Sequence, residues 1–356
     1  MKNYKISIPI LVGIIVVIKI CTISPALIER YYSNGLYIGI SKFLRTITGW
    51  LPFSAGDILY IVVSIFIIFS LIRGIQNIIR KKKSFISTFP FKRYCVILLL
   101  IYIIFNVLWG INYNRKGIAN QLGLNVKPYS LNDLKVIEGM LLVRVNESKS
   151  EALKNGAKYS TNEAMFSRAI LSYDSLKKTY PFLNYTPRSL KSSLFGKLGN
   201  YLGFSGYYNP FSGEAQVNTT IPKMLLPYTT CHEMAHQLGY AKEMEANFVG
   251  YLTSTGSGDE QFKYSAYLDL FIYATREVGY YDSTFAKGAY KQLLPEVKSD
   301  LAEIRQFWRN HQNPVEPVIT WLYGNYLKAN QQPRGMQSYN EVTADLIAYF
   351  KKYGKI

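Results

Sequence analysis

The sequence predicts a membrane-anchored, mainly α protein with a minor β component: three apolar helices, then a largely helical water-soluble domain that contains a small β-hairpin. Three observations predict this. Apolar residues crowd into the first third as three stretches of 17 or 18 residues, near the length needed to cross a hydrocarbon core. The remainder alternates apolar and polar residues with helical spacing. One segment between two helical stretches has β-rich arms around a cluster of turn formers. A chain of 356 residues is long for one compact domain, and the change in composition divides it at 1–111 and 112–356.

The first apolar stretch, "ISIPILVGIIVVIKICTI" (6–23), follows Lys2 and Lys5. No small-residue cleavage site comes after it and further apolar stretches do, so it reads as a span and not as a signal peptide. The others are 56–72, "GDILYIVVSIFIIFSLI", and 94–111, "YCVILLLIYIIFNVLWGI". Between them, residues 73–93 carry Arg73, Arg80, Lys81, Lys82, Lys83, Lys92 and Arg93 and no acidic residue. Cytoplasmic loops hold the excess of Lys and Arg, so this loop is assigned inside. The N-terminus is then also cytoplasmic, and everything after Ile111 is extracytoplasmic. The 24–56 loop, rich in aromatics with scattered basic residues, suggests a segment lying along the membrane surface, with a plain ordered loop as the alternative. The lipid bilayer is thus one expected partner. Most of the net charge of +18 is accounted for without nucleic acid, because the basic residues of the second region are scattered among acids and form no patch.

In the second region, Ser130 caps a helix with Asp133 at the capping-box position, followed by Leu134, Ile137, Leu141 and Val145 at helical spacing. "STNEAMFSRAILSYDSLKKTY" repeats the pattern and stops at Pro181, and further helices are expected over 260–280 and 284–308. Within 200–222, "YLGFSGYY" and "EAQVNT" flank "NPFSG" and predict a β-hairpin. Cys21, Cys95 and Cys231 form no disulfide framework. Cys231 points about 100° away from His232 on a helix and is assigned to packing.

The hairpin runs into "TTCHEMAHQLGYAKEMEANFVGYL", 229–252, which holds two of the three histidines. A helix starting around Pro227, Thr229 or Thr230 and ending at Gly239 puts His232 and His236 one turn apart on one face, where both imidazoles reach one ion. Glu233 projects beside that ion, where a carboxylate can accept a proton from water. With three histidines in the chain, a chance His-Glu-x-x-His arises in about one such sequence in a thousand. Zinc is therefore the expected cofactor. A third ligand is sought in "KEMEANF" beyond Gly239. If the next helix begins near Ala241, Glu243 and Asn247 share a face and Glu245 points elsewhere. Glu243 is preferred as ligand with Asn247 supporting it, and Glu245 is kept as the alternative.

"HEMAH" followed by "EMEAN" resembles the gluzincin pattern, in which a Glu on the next helix completes the site; that likeness again points to Glu243. The run "YYNPFSGEAQVN" through "TTCHEMAHQLGYAKEMEANF", with the N-terminal spans and "NYLKANQQPRGMQSY", resembles over nearly the whole chain a bacterial membrane family catalogued as a domain of unknown function and regarded as zinc metallopeptidases. The resemblance implies a zincin-like helical domain and metal chemistry, and leaves the substrate open. The gap from His236 to Glu243 is shorter than in better-known gluzincins. Likeness to gluzincins also implies an edge strand that pairs with peptide backbone; the arm containing Glu214, Ala215, Gln216 and Val217 is the candidate, with Tyr208 opposite. Tyr207, Tyr208, Arg334 and Tyr339 are candidate donors to a developing oxyanion. His311 is read as a surface or capping histidine.

The expected function is hydrolysis of an extracytoplasmic peptide or protein by a membrane-bound zinc metallopeptidase. The alternative is an inactive zinc-binding homologue serving as an envelope binding module, against which the retained Glu233 counts. Intramembrane proteolysis is excluded, since "CHEMAHQLGYAKEMEANF" is too polar for the hydrocarbon core. The charge distribution makes a topological prediction: reporter fusions after Lys83 read cytoplasm, and fusions after Tyr129 or Ile356 read the outside. A cytoplasmic signal at the C-terminus overturns the assignment.

Overall fold

The computed structural model describes residues 4–81, 91–156 and 159–356. Helix α1 (Tyr4–Cys21) is followed by one turn at Pro25–Leu27, a π-helical stretch at Ile28–Leu36 and α2 (Tyr37–Gly49). Helices α3 (Ala55–Lys81) and α4 (Phe91–Leu108) come next. Among the described residues, Ala55–Arg80 and Phe91–Leu108 are each long and apolar enough to cross a membrane, and almost nothing of either is buried in protein. The first apolar stretch qualifies only as part of a bent pair, Ser7–Cys21 with Pro25–Gly49, turned through 93°. Two or three helices can therefore span a bilayer. Arg73 and Arg80 belong to α3, which extends well past residue 72, while Lys82 and Lys83 lie outside the described residues.

The segment after α1 is helical, unlike the plain loop held as the alternative. Spacing explains which side of α2 is covered: Tyr37, Ser41, Arg45 and Thr48 form one buried stripe, while Phe43, Ile47 and Trp50 on the other side are exposed. The buried stripe packs against the polar region. Arg45 donates to the Pro187 carbonyl at 2.9 Å, and Thr48 Oγ1 lies 2.8 Å from Ser189 Oγ.

The polar region contains α5 (Leu131–Lys154), α6 (Asn162–Leu176), β1 (Leu190–Ser192), α7 (Gly196–Leu202), β2 (Gly206–Asn209) and β3 (Glu214–Val217). It continues with α8 (Leu226–Gln237), α9 (Glu243–Gly256), α10 (Glu260–Tyr281), α11 (Ser283–Lys291), α12 (Pro295–His311), α13 (Glu316–Ala329) and α14 (Val342–Tyr353). Ser130 and Asp133 form the reciprocal capping box that opens α5. The helix expected over 284–308 is two helices, because Pro295 lacks the N–H needed in a helix interior and instead begins α12. The main core gathers residues from α5, α6, α8, α9, α10 and α14, with Ile137, Leu141, Val145, Phe248, Phe262 and Leu268 fully buried.

The hairpin forms as β2 paired antiparallel with β3, Tyr208 opposite Ala215 and Asn209 opposite Glu214. Strand β1, which the sequence reading left unassigned, pairs parallel with the other side of β3, giving the order β1-β3-β2. Glu214 lies at the start of α3, accepting from Ala55 N at 3.0 Å, Gly56 N at 2.6 Å and Ser54 Oγ at 3.2 Å. A carboxylate at a helix N-terminus satisfies free N–H groups and meets the positive end of the dipole.

A buried ion pair joins the two regions. Arg115 grips Glu29 through Nε at 3.0 Å and Nη2 at 2.8 Å, and Gln121 adds a donor at 2.9 Å. Burial opposes the charge on Glu29, but Arg115 outweighs it and holds the carboxyl below its ordinary range. Removing one member of such a pair leaves an uncompensated charge, so Arg115→Ala is expected to destabilise the fold by about 3–5 kcal/mol. Thermal unfolding of the full chain in detergent checks this; an unchanged midpoint contradicts it.

Candidate metal centre

Helix α8 carries the motif, and its two ends explain its placement. Pro227 sits in the first turn, where the missing N–H costs nothing. At the other end Gly239 takes φ +87, a left-handed conformation open to glycine. Gly239 N donates to His236 O at 3.0 Å and Tyr240 N to Ala235 O at 3.3 Å, which turns the chain into α9. That helix starts at Glu243, two residues later than the expected start near Ala241, with Lys242 as its extended N-cap. Gln332 Oε1 accepts from Glu243 N at 2.9 Å and occupies the free helix end.

The turn brings His232, His236 and Glu243 together, all buried, with their donor atoms within 4.8 Å of one another. The two Nε2 atoms are 3.1 Å apart, and Glu243 Oε2 lies 3.3 Å from His232 Nε2 and 3.5 Å from His236 Nε2. Ligands at about 2.0–2.1 Å from one tetrahedral zinc ion stand about 3.3 Å apart along each edge. The observed edges match. Glu243 Oε2 has no hydrogen-bond donor, though it is buried, so the donor set suits a cation. His236 Nδ1 is 2.7 Å from the Tyr240 carbonyl; donation there leaves the Nε2 lone pair turned toward Glu243.

The charges are strongly coupled. Burial opposes ionisation of Glu243, but the imidazoles of His236 and His232 outweigh it and hold the carboxyl far below its ordinary range. Burial likewise opposes charge on His236, yet Glu243 and then Glu233 raise it to about 9. His232 is lowered by burial despite Glu243. Glu233 is pushed up to about 8, chiefly by burial, with the nearby imidazole of His236 acting against the rise. Its Oε2 is unpaired. Glu233 therefore differs from Glu243: one carboxyl is held ionised among the imidazoles, and the other is poised near neutrality beside them.

Residues remote in sequence complete the surroundings. Tyr323 from α13 donates to Glu243 Oε1 at 2.8 Å, so one carboxylate oxygen is held and the other faces the histidines. Trp109, just beyond α4, donates Nε1–H to His236 O at 3.2 Å. Strand β2 lies against Glu233, where a Cβ on Gly206 would come within 2.5 Å of Oε1; glycine is required for this close approach. These residues face a cleft of about 1600 Å³ that also takes in Phe204, Tyr273, Arg334 and Tyr339.

The other sequence candidates divide clearly. Asn247, one turn behind Glu243, donates to Tyr339 O at 3.2 Å and adjoins His232, favouring its charged form. Glu245 turns away to Lys242 at 3.5 Å. Tyr339 stacks on His232 with centroids 6.4 Å apart. Arg334 lines the cleft and is 3.8 Å from Glu341. Tyr207 is engaged by Asp57 and Ser193, and the Tyr208 hydroxyl by Tyr37. Cys231 is fully buried in the core, which pushes its thiol up to about 11. His311 lies in the last turn of α12, its Nδ1 2.8 Å from Phe307 O. One expectation is overturned. Glu214, Ala215, Gln216 and Val217 form the central strand, hydrogen-bonded on both sides and fully buried, so they offer no free backbone to a peptide. The outer strand on the cleft is β2. Tyr323, Gln332 and Trp109 had no local signal, since a lone Tyr, Gln or Trp far along the chain carries no spacing pattern.

The family model described as "Protein of unknown function (DUF3810)" matches residues 32–347. No curated protein and no solved structure matches the chain.

The geometry separates the two glutamates experimentally. In the full-length protein, Glu243→Ala or His232→Ala is expected to abolish binding of one zinc per chain, whereas Glu245→Ala retains it, as read by metal analysis after dialysis. Loss of zinc in Glu245→Ala with retention in Glu243→Ala contradicts this arrangement.

Proposed function

Since the chain belongs to this family of unknown function, we propose on the chemistry of the site that it is a membrane-bound zinc metallopeptidase, hydrolysing peptide bonds of an extracytoplasmic polypeptide. One observation carries the reading: a buried carboxyl that is not part of the ligand set, Glu233, lies with its Oε2 unpaired beside the His232, His236 and Glu243 cluster. A purely structural metal site needs no general base. The apolar helices, the basic residues between α3 and α4, and the positive-inside rule support placement of the cleft outside the cytoplasmic membrane.

His232, His236 and Glu243 would hold zinc, which supplies a Lewis acid for a carbonyl and lowers the pKa of water toward 7. Glu233, in its ionised form, accepts the proton of the attacking water through Oε2 and returns it to the leaving amine. Tyr323 orients Glu243 and keeps its second oxygen toward the histidines. The outer edge of β2 from Gly206 to Asn209 pairs with extended substrate backbone, which brings the peptide alongside Glu233. Tyr339 and Arg334, which line the cleft, would donate to negative charge on the carbonyl oxygen.

Glu233→Gln preserves shape and removes the base. It is expected to keep zinc stoichiometry while cleavage of a peptide library falls by about 10²–10⁴-fold, with products read by mass spectrometry. Equal cleavage by the variant, or a zinc-loaded wild type that cleaves nothing in the library, defeats the enzyme reading and favours a zinc-binding module.

A further inference from the structure

Among the described residues, the surface outside the metal centre contains an apolar face with no protein against it. Helix α13 has charged residues only near its ends, Glu316 and Lys328. Val318, Trp321 and Leu322 share one side of it and are exposed, Trp321 at 67%. Helix α7 adjoins α13. Leu198 and Tyr201, three apart on it, and Leu194 in the turn that leads into it are also about half exposed. Isolated exposed apolar residues are ordinary, but a continuous patch on two adjoining helices marks an interaction surface.

Two independent contacts fix the level of this face relative to the apolar helices. Leu194 N donates to Asp57 Oδ2 at 2.7 Å, and Asp57 is in the first turn of α3. Tyr326, at the margin of the exposed face of α13, meets Phe105 edge-on with centroids 6.4 Å apart, and Phe105 is in the last turn of α4. The patch thus lies next to the start of α3 and the end of α4, at the end the two apolar helices share. Trp and Tyr favour that depth because their rings are apolar and their N–H and O–H groups reach water. The same elements line the cleft, with Leu202 of α7, Ile319 and Tyr323 of α13, Tyr60 of α3 and Phe105 of α4 all in its wall.

We infer that α7 and α13 are seated in the lipid of the outer leaflet as an in-plane wedge, which places the mouth of the metal cleft at the bilayer surface. The inference rests on the reading that α3 and α4 span the membrane, and it does not depend on hydrolysis. Lipid is the occupant because the face lies at the common end of the two spans and its charges sit at the margins, Glu316 and Lys328 at the ends of α13 and Lys197 in the first turn of α7, whose long stem lets the ammonium reach water. A polypeptide reaching Glu233 then does so from the membrane surface, as the segment next to a membrane anchor would.

The test uses the full chain in phospholipid nanodiscs, with Cys21→Ser and Cys95→Ser and the buried Cys231 retained. A nitroxide is attached in turn to Leu198→Cys, Leu322→Cys, Ile65→Cys within α3 and Lys154→Cys on the charged surface. Accessibility to oxygen, which concentrates in lipid, is compared with accessibility to a water-soluble nickel complex. The expected result is an oxygen preference at 198 and 322 severalfold above that at 154 and close to that at 65. A nickel preference at 198 and 322, matching position 154, overturns the wedge and leaves the spans intact. Protection from both reagents also overturns it and points to a second protein chain on this face. A water-like position 65 removes the span assignment together with the wedge.

Discussion

The carbonyls that close the motif helix are held by groups from the first 115 residues, and the rest of the site depends on this. The last carbonyls of any helix lack partners within it. Here His236 O receives Trp109 Nε1–H, Gln237 O receives the hydroxyls of Tyr37 at 3.0 Å and Ser41 at 2.7 Å, and Gly239 O receives Arg115 Nη1–H at 3.1 Å. Each such bond contributes about 0.5–1.5 kcal/mol net, and a buried carbonyl left without one costs more. Arg115 is in turn fixed by Glu29. The direction in which the chain leaves α8, and hence the position of Glu243, is set by donors that flank the apolar helices. The compositional boundary at 111/112 runs through this set of contacts.

The start of α3 and the sheet are coupled in the same manner. Glu214 on the central strand closes the N-terminus of α3, and Gln216, next but one along the strand, also meets Ser54. A strand bonded on both sides with its side chains spent on a helix end is a brace, and the outer strand β2 is left to face the cleft. Gly206 then brings that strand against Glu233 with no side chain between them. Burial raises the Glu233 carboxyl, and the histidines lower Glu243. The same buried environment thus pushes the two carboxyls in opposite directions.

Much of the site was legible in the sequence because its signals are local. His232, Glu233 and His236 lie within five residues, and a helical period of 3.6 dictates their common face. Gly239 marks a stop that local chemistry requires. Glu243 and Asn247 share a face by the same period, which favoured Glu243 over Glu245 as ligand, and the path of the chain through Gly239 then separated them. The apolar stretches and the Ser130 capping box were equally local. The hairpin was recognisable from its turn formers, but its central strand was not, because β1 is three residues long and pairs across more than twenty residues of chain. Without that partner the arm at 214–217 resembles an edge.

The sequence by itself therefore determined the two-part composition, the mainly helical architecture, the apolar helices and the His232, His236, Glu243 cluster with Glu233 beside it, since each follows from spacing within one or two turns of chain. Tertiary structure decided which strand is free, which tyrosine holds Glu243 and how the 24–56 segment is used. It also decided that Trp109, Tyr37, Ser41 and Arg115 close the motif helix. Those outcomes depend on hydrogen-bond partners 80 to 200 residues apart, and a buried carbonyl or carboxylate selects its donor by position in space, leaving no periodic trace along the chain.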